Sequence, residues 1–327
     1  MTKKLRAGLV GIGSIGRHHS RVLASLPGVD FVGVADPASD THKAAQGRPV
    51  FKSVSELIAV GIDYAIVAVP TIYHLEVGVE LATAGIHTMV EKPISHNMAT
   101  SMALASAFGN AGLVGAVGHV ERYNPALQEA RRRLEQLGGL YQVVTRRQGS
   151  FPTRITDVGV ILDLATHDID LTSWLTSQQY KSVAAHTAYG SGHKHEDLVA
   201  IIGTLKDGTI TNHLVNWLSP LKERVTIITG ENGAFVADTL TADLTFYANG
   251  TFVSEWDGVT QFRGVSEGDV TRYAISKQEP LRLEHENFRD AVLGKSADIV
   301  TMEQGLATVR IAEAVLQSAK TKQIIEV

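Results

Sequence analysis

Asp163, His167 and Asp170 recur at i, i+4 and i+7 in the run Leu162-Asp163-Leu164-Ala165-Thr166-His167-Asp168-Ile169-Asp170. If the chain is helical from Val160 onward, the three share one face and set a carboxylate beside an imidazole. A second candidate is Lys92, within Glu91-Lys92-Pro93. Removing hydride from a carbinol requires a group that accepts the hydroxyl proton, and a histidine or lysine whose pKa is drawn toward 7 can do so. Asp163 would then orient the substrate or hold the imidazole. Plainer readings fit the same residues: an Asp–His pair on a solvated helix face, and an ordinary surface lysine. A histidine with two carboxylates could also hold Mn or Zn, but no supporting ligand logic accompanies it, and no metal is expected. His193-Lys194-His195-Glu196 has metal-like residue types yet falls between predicted strands, in a loop.

A hydride needs an acceptor, and Gly11-Ile12-Gly13-Ser14-Ile15-Gly16 supplies the bed for one. It follows an apolar strand and opens a helix, the context a dinucleotide fingerprint requires. The first glycine permits the tight turn, the second lets backbone approach a pyrophosphate, and the third lets helix and strand pack closely. Asp36 lies 36 − 16 = 20 residues past the last of these glycines, where a carboxylate can bond both ribose hydroxyls of an adenosine. It would repel a 2′-phosphate, and Pro37, Ala38, Ser39 and Asp40 bring no arginine to offset that. NAD is therefore expected in preference to NADP.

Elements to position these groups are visible in the pattern. Short apolar runs near 5–10, 31–35, 64–69, 87–90 and 114–118 alternate with helical spacing at 15–26, 53–59, 74–84 and 98–110. That alternation predicts βαβ units and a doubly wound parallel sheet. Glu91-Lys92-Pro93 then stands at the C-terminal end of a strand, where open α/β sheets bind ligands, and Lys92-Pro93 is a candidate cis bond. Beyond Gly138 the texture changes to longer β-rich segments with hairpin signals at Lys206-Asp207-Gly208, Glu231-Asn232-Gly233 and Ala248-Asn249-Gly250. A helix is expected at 160–175, and two more at 284–293 and 303–320. The predicted organisation is an α/β Rossmann domain over 1–122 and an α+β domain over 123–327 with a large, open-faced, mostly antiparallel sheet. The last helices can pack back on the first domain.

Composition narrows the classes further. The chain has 327 residues, about two domains' worth, and no cysteine, which removes disulfide, thiolate-metal and thiol chemistry. Its 30 basic and 34 acidic residues give a net charge of −4 and no basic footprint for nucleic acid. No apolar run approaches a membrane span and the N-terminus makes a poor signal peptide, so the expectation is a cytoplasmic protein with no membrane partner.

Taken in order, the fingerprint with Asp36, Val69-Pro70-Thr71 with His74, Glu91-Lys92-Pro93, Gly118-His119-Val120-Glu121-Arg122-Tyr123-Asn124-Pro125 and the Asp163–Asp170 segment resemble one family over nearly the whole chain. It is the glucose-fructose oxidoreductase, inositol dehydrogenase and MocA family of sugar dehydrogenases. The resemblance implies that Gly11, Gly13, Ser14, Ile15, Gly16, Asp36, Pro70, Thr71, His74, Glu91 and Lys92 form the NAD site, with Glu91 at the nicotinamide ribose. It implies that Lys92, Asp163 and His167 form the reaction centre, leaving Lys92 and His167 as rival bases. It also implies a homodimer or homotetramer formed through the second domain's sheet. That contact would account for Trp217, Phe246 and Trp256, as would a covering helix.

The run from Gly118 and Gly149-Ser150-Phe151-Pro152-Thr153-Arg154-Ile155 resemble the branch that oxidises UDP-N-acetylglucosamine or related nucleotide sugars at C3. A diphosphate suits bidentate guanidinium binding by Arg146, Arg147 or Arg154, although arginines paired with acids at a domain seam fit as well. His119, Arg122, Asn124 and Arg154, with Asp163 and His167, are the candidate substrate contacts; Asn124-Pro125 can instead mark the domain junction. The alternatives are a free-sugar or myo-inositol 2-dehydrogenase and, from another class, a regulator that binds NAD without turning it over.

Overall fold

The structure, a computed structural model, describes residues 4–38, 40, 43–152, 158–192, 194–250 and 266–327. The chain divides into two compact units, one of Met1–Tyr123 with Glu279–Glu313, the other of Asn124–Gln278 with Ala314–Val327. The C-terminal segment Glu279–Glu313 thus belongs with the N-terminal residues.

In the first unit β1 (Leu5–Val10), β2 (Val29–Ala35), β3 (Val50–Phe51), β4 (Tyr64–Val67), β5 (His87–Glu91) and β6 (Gly115–Gly118) form a sheet in the order β3-β2-β1-β4-β5-β6. Every pairing is parallel. Strands buried on both faces need continuous apolar runs, and Tyr64–Val67 is buried throughout. The helices are α1 (Gly16–Ser25), α2 (Val54–Ala59), α3 (His74–Thr83) and α4 (Met98–Ala111), joined by the C-terminal Pro280–Val292 (α7 in chain order) and the first part of Met302–Thr321 (α8), whose residues from Ala314 on belong to the second unit. Their starts are chemically marked. Ser53 Oγ accepts the Glu56 N–H and Asn97 Oδ1 accepts the Thr100 N–H, each satisfying a first-turn donor. α4 ends on Gly112 in a left-handed conformation. One apolar cluster, with Leu57, Leu81, Leu104 and Val309, packs against Val67 and Val90. A second, with Leu23, Phe31 and Phe288, packs against Leu9 and Ile66. The edge of Phe288 meets the ring of Tyr64.

The second unit is built on a nine-stranded sheet. In chain order its elements are α5 (Pro125–Arg132), β7 (Leu140–Ser150), α6 (Thr166–Thr176), β8 (Tyr180–Ala188), β9 (Leu198–Leu205), β10 (Ile210–Asn216), β11 (Leu218–Gly230), β12 (Gly233–Asp238), β13 (Asp243–Gly250), β14 (Ser266–Arg272) and β15 (Ile325–Glu326). The order is β14-β13-β12-β11-β7-β10-β9-β8-β15, antiparallel except where β10 runs parallel to β7. The period-2 alternation separates two faces. Val143, Ile228, Phe235, Ala237 and Leu244 are buried with Ala126, Leu127 and Ala130 of α5 and Leu171, Trp174 and Leu175 of α6. The opposite face carries Ile202, Ile210, Tyr247 and Val270, all exposed.

Two expectations change, and a third, left between a subunit contact and a covering helix, is decided. Ala248-Asn249-Gly250 is not a turn: it continues β13, with Asn249 paired to Glu267. The Asn249 amide donates to the main chain of the neighbouring β11–β12 turn, through its backbone N–H to Asn232 O and its Nδ2 to Glu231 O. The helix expected from Val160 begins with a π turn, Ile161–Ala165, in which the Thr166 N–H reaches Ile161 O. Its i→i+5 bonding changes the angle between Asp163 and His167 from that of a regular α-helix. Trp217 and Phe246 do not lie on the open face. Trp217 is buried edge-on against Phe151, and Phe246 packs on Phe235 beneath the helices. Trp256 falls outside the described residues.

On the covered face His213 is fully enclosed, its Nδ1 2.8 Å from Thr145 Oγ1 and its Nε2 2.8 Å from the Tyr180 hydroxyl. Burial lowers its pKa from 6.5 to about 3. The unfolded chain therefore takes the proton first as pH falls, and stability is lost from about 6.5 down toward 3. All three tryptophans, Trp174, Trp217 and Trp256, lie in the range of this unit. Urea unfolding followed by their fluorescence should show the wild type losing about 1.4 kcal/mol per pH unit below 6.5 relative to His213→Gln. Parallel curves for the two proteins would contradict the assignment.

Candidate active site

The glycine turn has the shape the fingerprint demands. Gly11 has φ +91°, and a Cβ there would lie 2.6 Å from Ala68 O. At Gly16 a Cβ would lie 2.1 Å from Gly11 O, so α1 reaches the strand end only because that methyl is missing. Gly13 faces open space, with nothing within 4 Å of a Cβ. Ser14 and Ile15 are exposed beside it, and α1 begins with no side-chain cap and no acid in its first turn. An uncapped helix N-terminus behind an open glycine fits a dinucleotide pyrophosphate. Asp36 is drawn to the same turn, its Oδ2 accepting the Ile12 N–H at 2.9 Å and its Oδ1 the Ala38 N–H at 2.8 Å.

Across the sheet, β5 delivers Glu91 and Lys92 at its C-terminal end, and the Lys92-Pro93 bond is cis. Pro70 and Thr71 open a short 3₁₀ turn after β4, Pro70 exposed and Thr71 half-buried. His74 differs from expectation. Its ring is enclosed, with Nε2 3.0 Å from Val69 O and Nδ1 3.0 Å from Pro93 O. Burial lowers its pKa against the pull of those carbonyls, and the ring, 1% exposed, offers a ligand no surface.

Glu91 is the end of a buried chain that sequence reading missed. Its Oε1 lies 2.8 Å from His19 Nε2, and His19 Nδ1 lies 2.8 Å from His285 Nε2. Burial opposes ionisation of Glu91, but the His19 hydrogen bond and the charges of His19 and Lys92 bring it below the usual carboxylate range. Glu284, also buried, is held well above that range by burial and then by Glu91. His19 carried a signal, a histidine three residues past the last glycine on the helix face turned to the sheet. His285, 266 residues further on, carried none.

In the second unit Asp163 and His167 are both buried, which removes the solvated-face reading. Their helix is held at its start by Glu196, whose Oε1 accepts the Ile161 N–H at 3.1 Å while its carbonyl accepts the Val160 N–H. A Cβ on Gly159 would strike that carboxylate. Glu196 thus serves the helix, and among the described residues no group of His, Asp and Glu is placed to hold a metal. Arg147 Nε bonds both oxygens of Asp168 at 3.1 Å in a buried pair, and Arg146 pairs with Glu223. Neither stands ready as a diphosphate clamp.

Of three further candidates, Asn124 and Arg122 make contacts within the framework. Asn124 caps α5 by accepting the Ala126 N–H, and its Nδ2 donates to Thr239 O. Arg122 is buried and donates to Gln304. His119 is buried with 1% exposure. Arg154 lies outside the described residues.

The glycine geometry separates binding from folding. Gly13→Ala should leave the melting temperature within about 2 °C of wild type but weaken NAD binding at least tenfold, because its methyl enters the open bed. Gly16→Ala should lower both melting temperature and affinity. Thermal melts with and without NAD check this, and a Gly13→Ala protein that bound NAD normally would contradict the placement.

Residues 5–119 match the oxidoreductase family described by its NAD-binding Rossmann fold, and residues 145–327 match that family's C-terminal alpha/beta domain. UDP-N-acetylglucosamine 3-dehydrogenase of Acidithiobacillus ferrooxidans is 29% identical over 96% of both chains. A crystal structure of that organism's enzyme superposes with TM-score 0.84 at 26% identity, over 97% of this chain and 98% of the other. The scyllo-inositol 2-dehydrogenase (NAD(+)) of Bacillus subtilis is 28% identical over 57% of this chain and 58% of its own. No helix among the described residues is long and apolar enough to cross a membrane. With both of its domains matched in order, the chain belongs to the glucose-fructose oxidoreductase, inositol dehydrogenase and MocA family of NAD-binding sugar oxidoreductases.

Proposed function

We propose that this protein oxidises a secondary alcohol of a nucleotide-activated amino sugar of the UDP-N-acetylglucosamine type, at C3, with NAD as hydride acceptor. The observation that carries the reading is the extent of the likeness: the UDP-N-acetylglucosamine enzyme aligns over 96% of this chain, the inositol enzyme over 57%. Bound NAD would supply the redox chemistry. The glycine turn and Asp36 hold its pyrophosphate and adenosine ribose, and Glu91 binds the nicotinamide ribose. His167, or Lys92 in its place, takes the hydroxyl proton. As an ammonium, Lys92 steadies developing alkoxide charge, and Asp163 orients the imidazole or the substrate. The Asp36 carboxylate supports NAD over NADP, since a 2′-phosphate would meet its charge. Exposed Ile202, Ile210, Tyr247 and Val270 on the open face of the nine-stranded sheet support a homodimer or homotetramer. A cytoplasmic location follows from dependence on a nucleotide cofactor of the cell interior.

A substrate panel with NAD, read by absorbance of the reduced cofactor, should give UDP-N-acetylglucosamine a kcat/KM at least about 100-fold above the free sugar, equal to roughly 2.7 kcal/mol of transition-state binding. Turnover of myo-inositol or glucose alone would establish the runner-up instead. With saturating NAD, Lys92→Ala and His167→Ala should each lower kcat by about 10²–10⁴-fold. Near-normal turnover in both would remove the site assignment. Asp36→Asn should raise KM for NAD and narrow the preference over NADP, and an unchanged ratio would count against its role.

A further inference from the structure

Glu91, His19 and His285 come from β5, α1 and α7 of the first unit, joined by two contacts of 2.8 Å. An ionised carboxylate can only accept, so His19 Nε2 carries a hydrogen and donates to Glu91. Burial, and then the proximity of His19, keep His285 neutral. Two proton arrangements satisfy both contacts. With His19 neutral, its Nδ1 accepts from His285 Nε2–H. With His19 cationic, its Nδ1–H donates to His285 Nε2, and the hydrogen of His285 sits on Nδ1. That nitrogen is buried and meets no hydrogen-bond partner among the described residues, so exchanging the arrangements breaks no bond. They differ by one proton, and the chain's charge is −1 or 0.

We propose that the Glu91–His19–His285 chain stores one exchangeable proton, making His19 and His285 positioning residues that tie cofactor affinity to pH and to the cofactor's own charge. The inference rests on the reading that Glu91 belongs to the cofactor site. An oxidised nicotinamide carries one positive charge and a reduced one carries none. The proton-poor chain therefore favours the oxidised cofactor, and the proton-rich chain the reduced one. Lys92, Glu284 and His74 also act on Glu91, and His18 acts on His19. Burial, and then Glu91, raise the pKa of Glu284. The proton enters at Glu91, whose side chain is 14% exposed while that of His19 is closed to solvent.

Binding of NAD and NADH without sugar, measured by NADH fluorescence and displacement over about pH 5.5–8.5, tests this. The ratio Kd(NAD)/Kd(NADH) should fall as pH rises, by at most about tenfold per unit for one proton. His285→Gln, whose amide can donate to or accept from His19 Nδ1, should keep the slope. His285→Leu should flatten it. A flat ratio in the wild type, or an unchanged slope in His285→Leu, overturns the proposal. Nitrogen-15 spectra of wild type give a second reading: the His285 tautomer should differ between the NAD and NADH complexes, and one fixed tautomer overturns it too. Glu91→Gln separates the levels. If it weakens neither nucleotide, the cofactor-site reading has failed; if it weakens binding while the slope ignores His285, only the proton store has.

Discussion

The first unit depends on the approach of α1 to the end of β1, which exists because Gly16 has no side chain. With a Cβ 2.1 Å from Gly11 O, the helix would have to retreat from the strand. Retreat would carry away more than the amides of its first turn. His19 lies three residues on, on the helix face turned inward, and its ring reaches Glu91 on β5 only at that spacing. Ser20, also buried, reaches Ala44 O from the next position. One absent methyl thus fixes both the open glycine turn and the internal partner of the Glu91 carboxylate.

Such dependence explains which parts were legible in the sequence. The parallel sheet was, because each βαβ unit is written in contiguous residues and the turn signals are local. So were the turns at Lys206-Asp207-Gly208 and Glu231-Asn232-Gly233, where only the strands before and after compete. Asn249 misled because its amide bonds a neighbouring turn that no local pattern specifies. α5 was missed although its signal stood in plain view, a capping Asn124 with Pro125 at the first helical position. Its place after the last strand of the first domain had drawn Asn124 toward the substrate, and its side chain caps this helix. The partnership of His19 with His285 was beyond reading, since periodicity carries no information across a separation of 266 residues.

The two units manage buried charge differently. In the first, Glu91 keeps its charge through a hydrogen bond to an imidazole and the nearby ammonium of Lys92, while Glu284 gives its charge up. Two ionised carboxylates in one apolar region would repel across a low dielectric, so Glu284, which meets no hydrogen-bond donor among the described residues, is the one whose pKa rises. In the second, Arg147 and Asp168 remain a full ion pair, with side-chain exposures of 4% and 2%. Removing either partner would leave an uncompensated buried charge, a loss of about 3–5 kcal/mol. Such a pair links its helix to the sheet through directional hydrogen bonds at one position. Here the helix is α6, which also carries His167.

Arg146 and Arg147, adjacent on β7, show why residue type alone did not identify a clamp. Alternation sends them to opposite faces. Arg147 goes under α6 into its buried pair, whereas Arg146 goes to the open face, half exposed and joined to Glu223. An exposed pair of that kind contributes about 0–1 kcal/mol and exchanges partners readily. The freer guanidinium is therefore the one directed away from α6 and from His167, while the one on the side of α6 is fixed by Asp168. β7 consequently ties down α6 through Arg147 and Asp168, and that guanidinium is not free to grip a phosphate. A strand that appeared in sequence to bear on substrate choice instead sets the position of a candidate base.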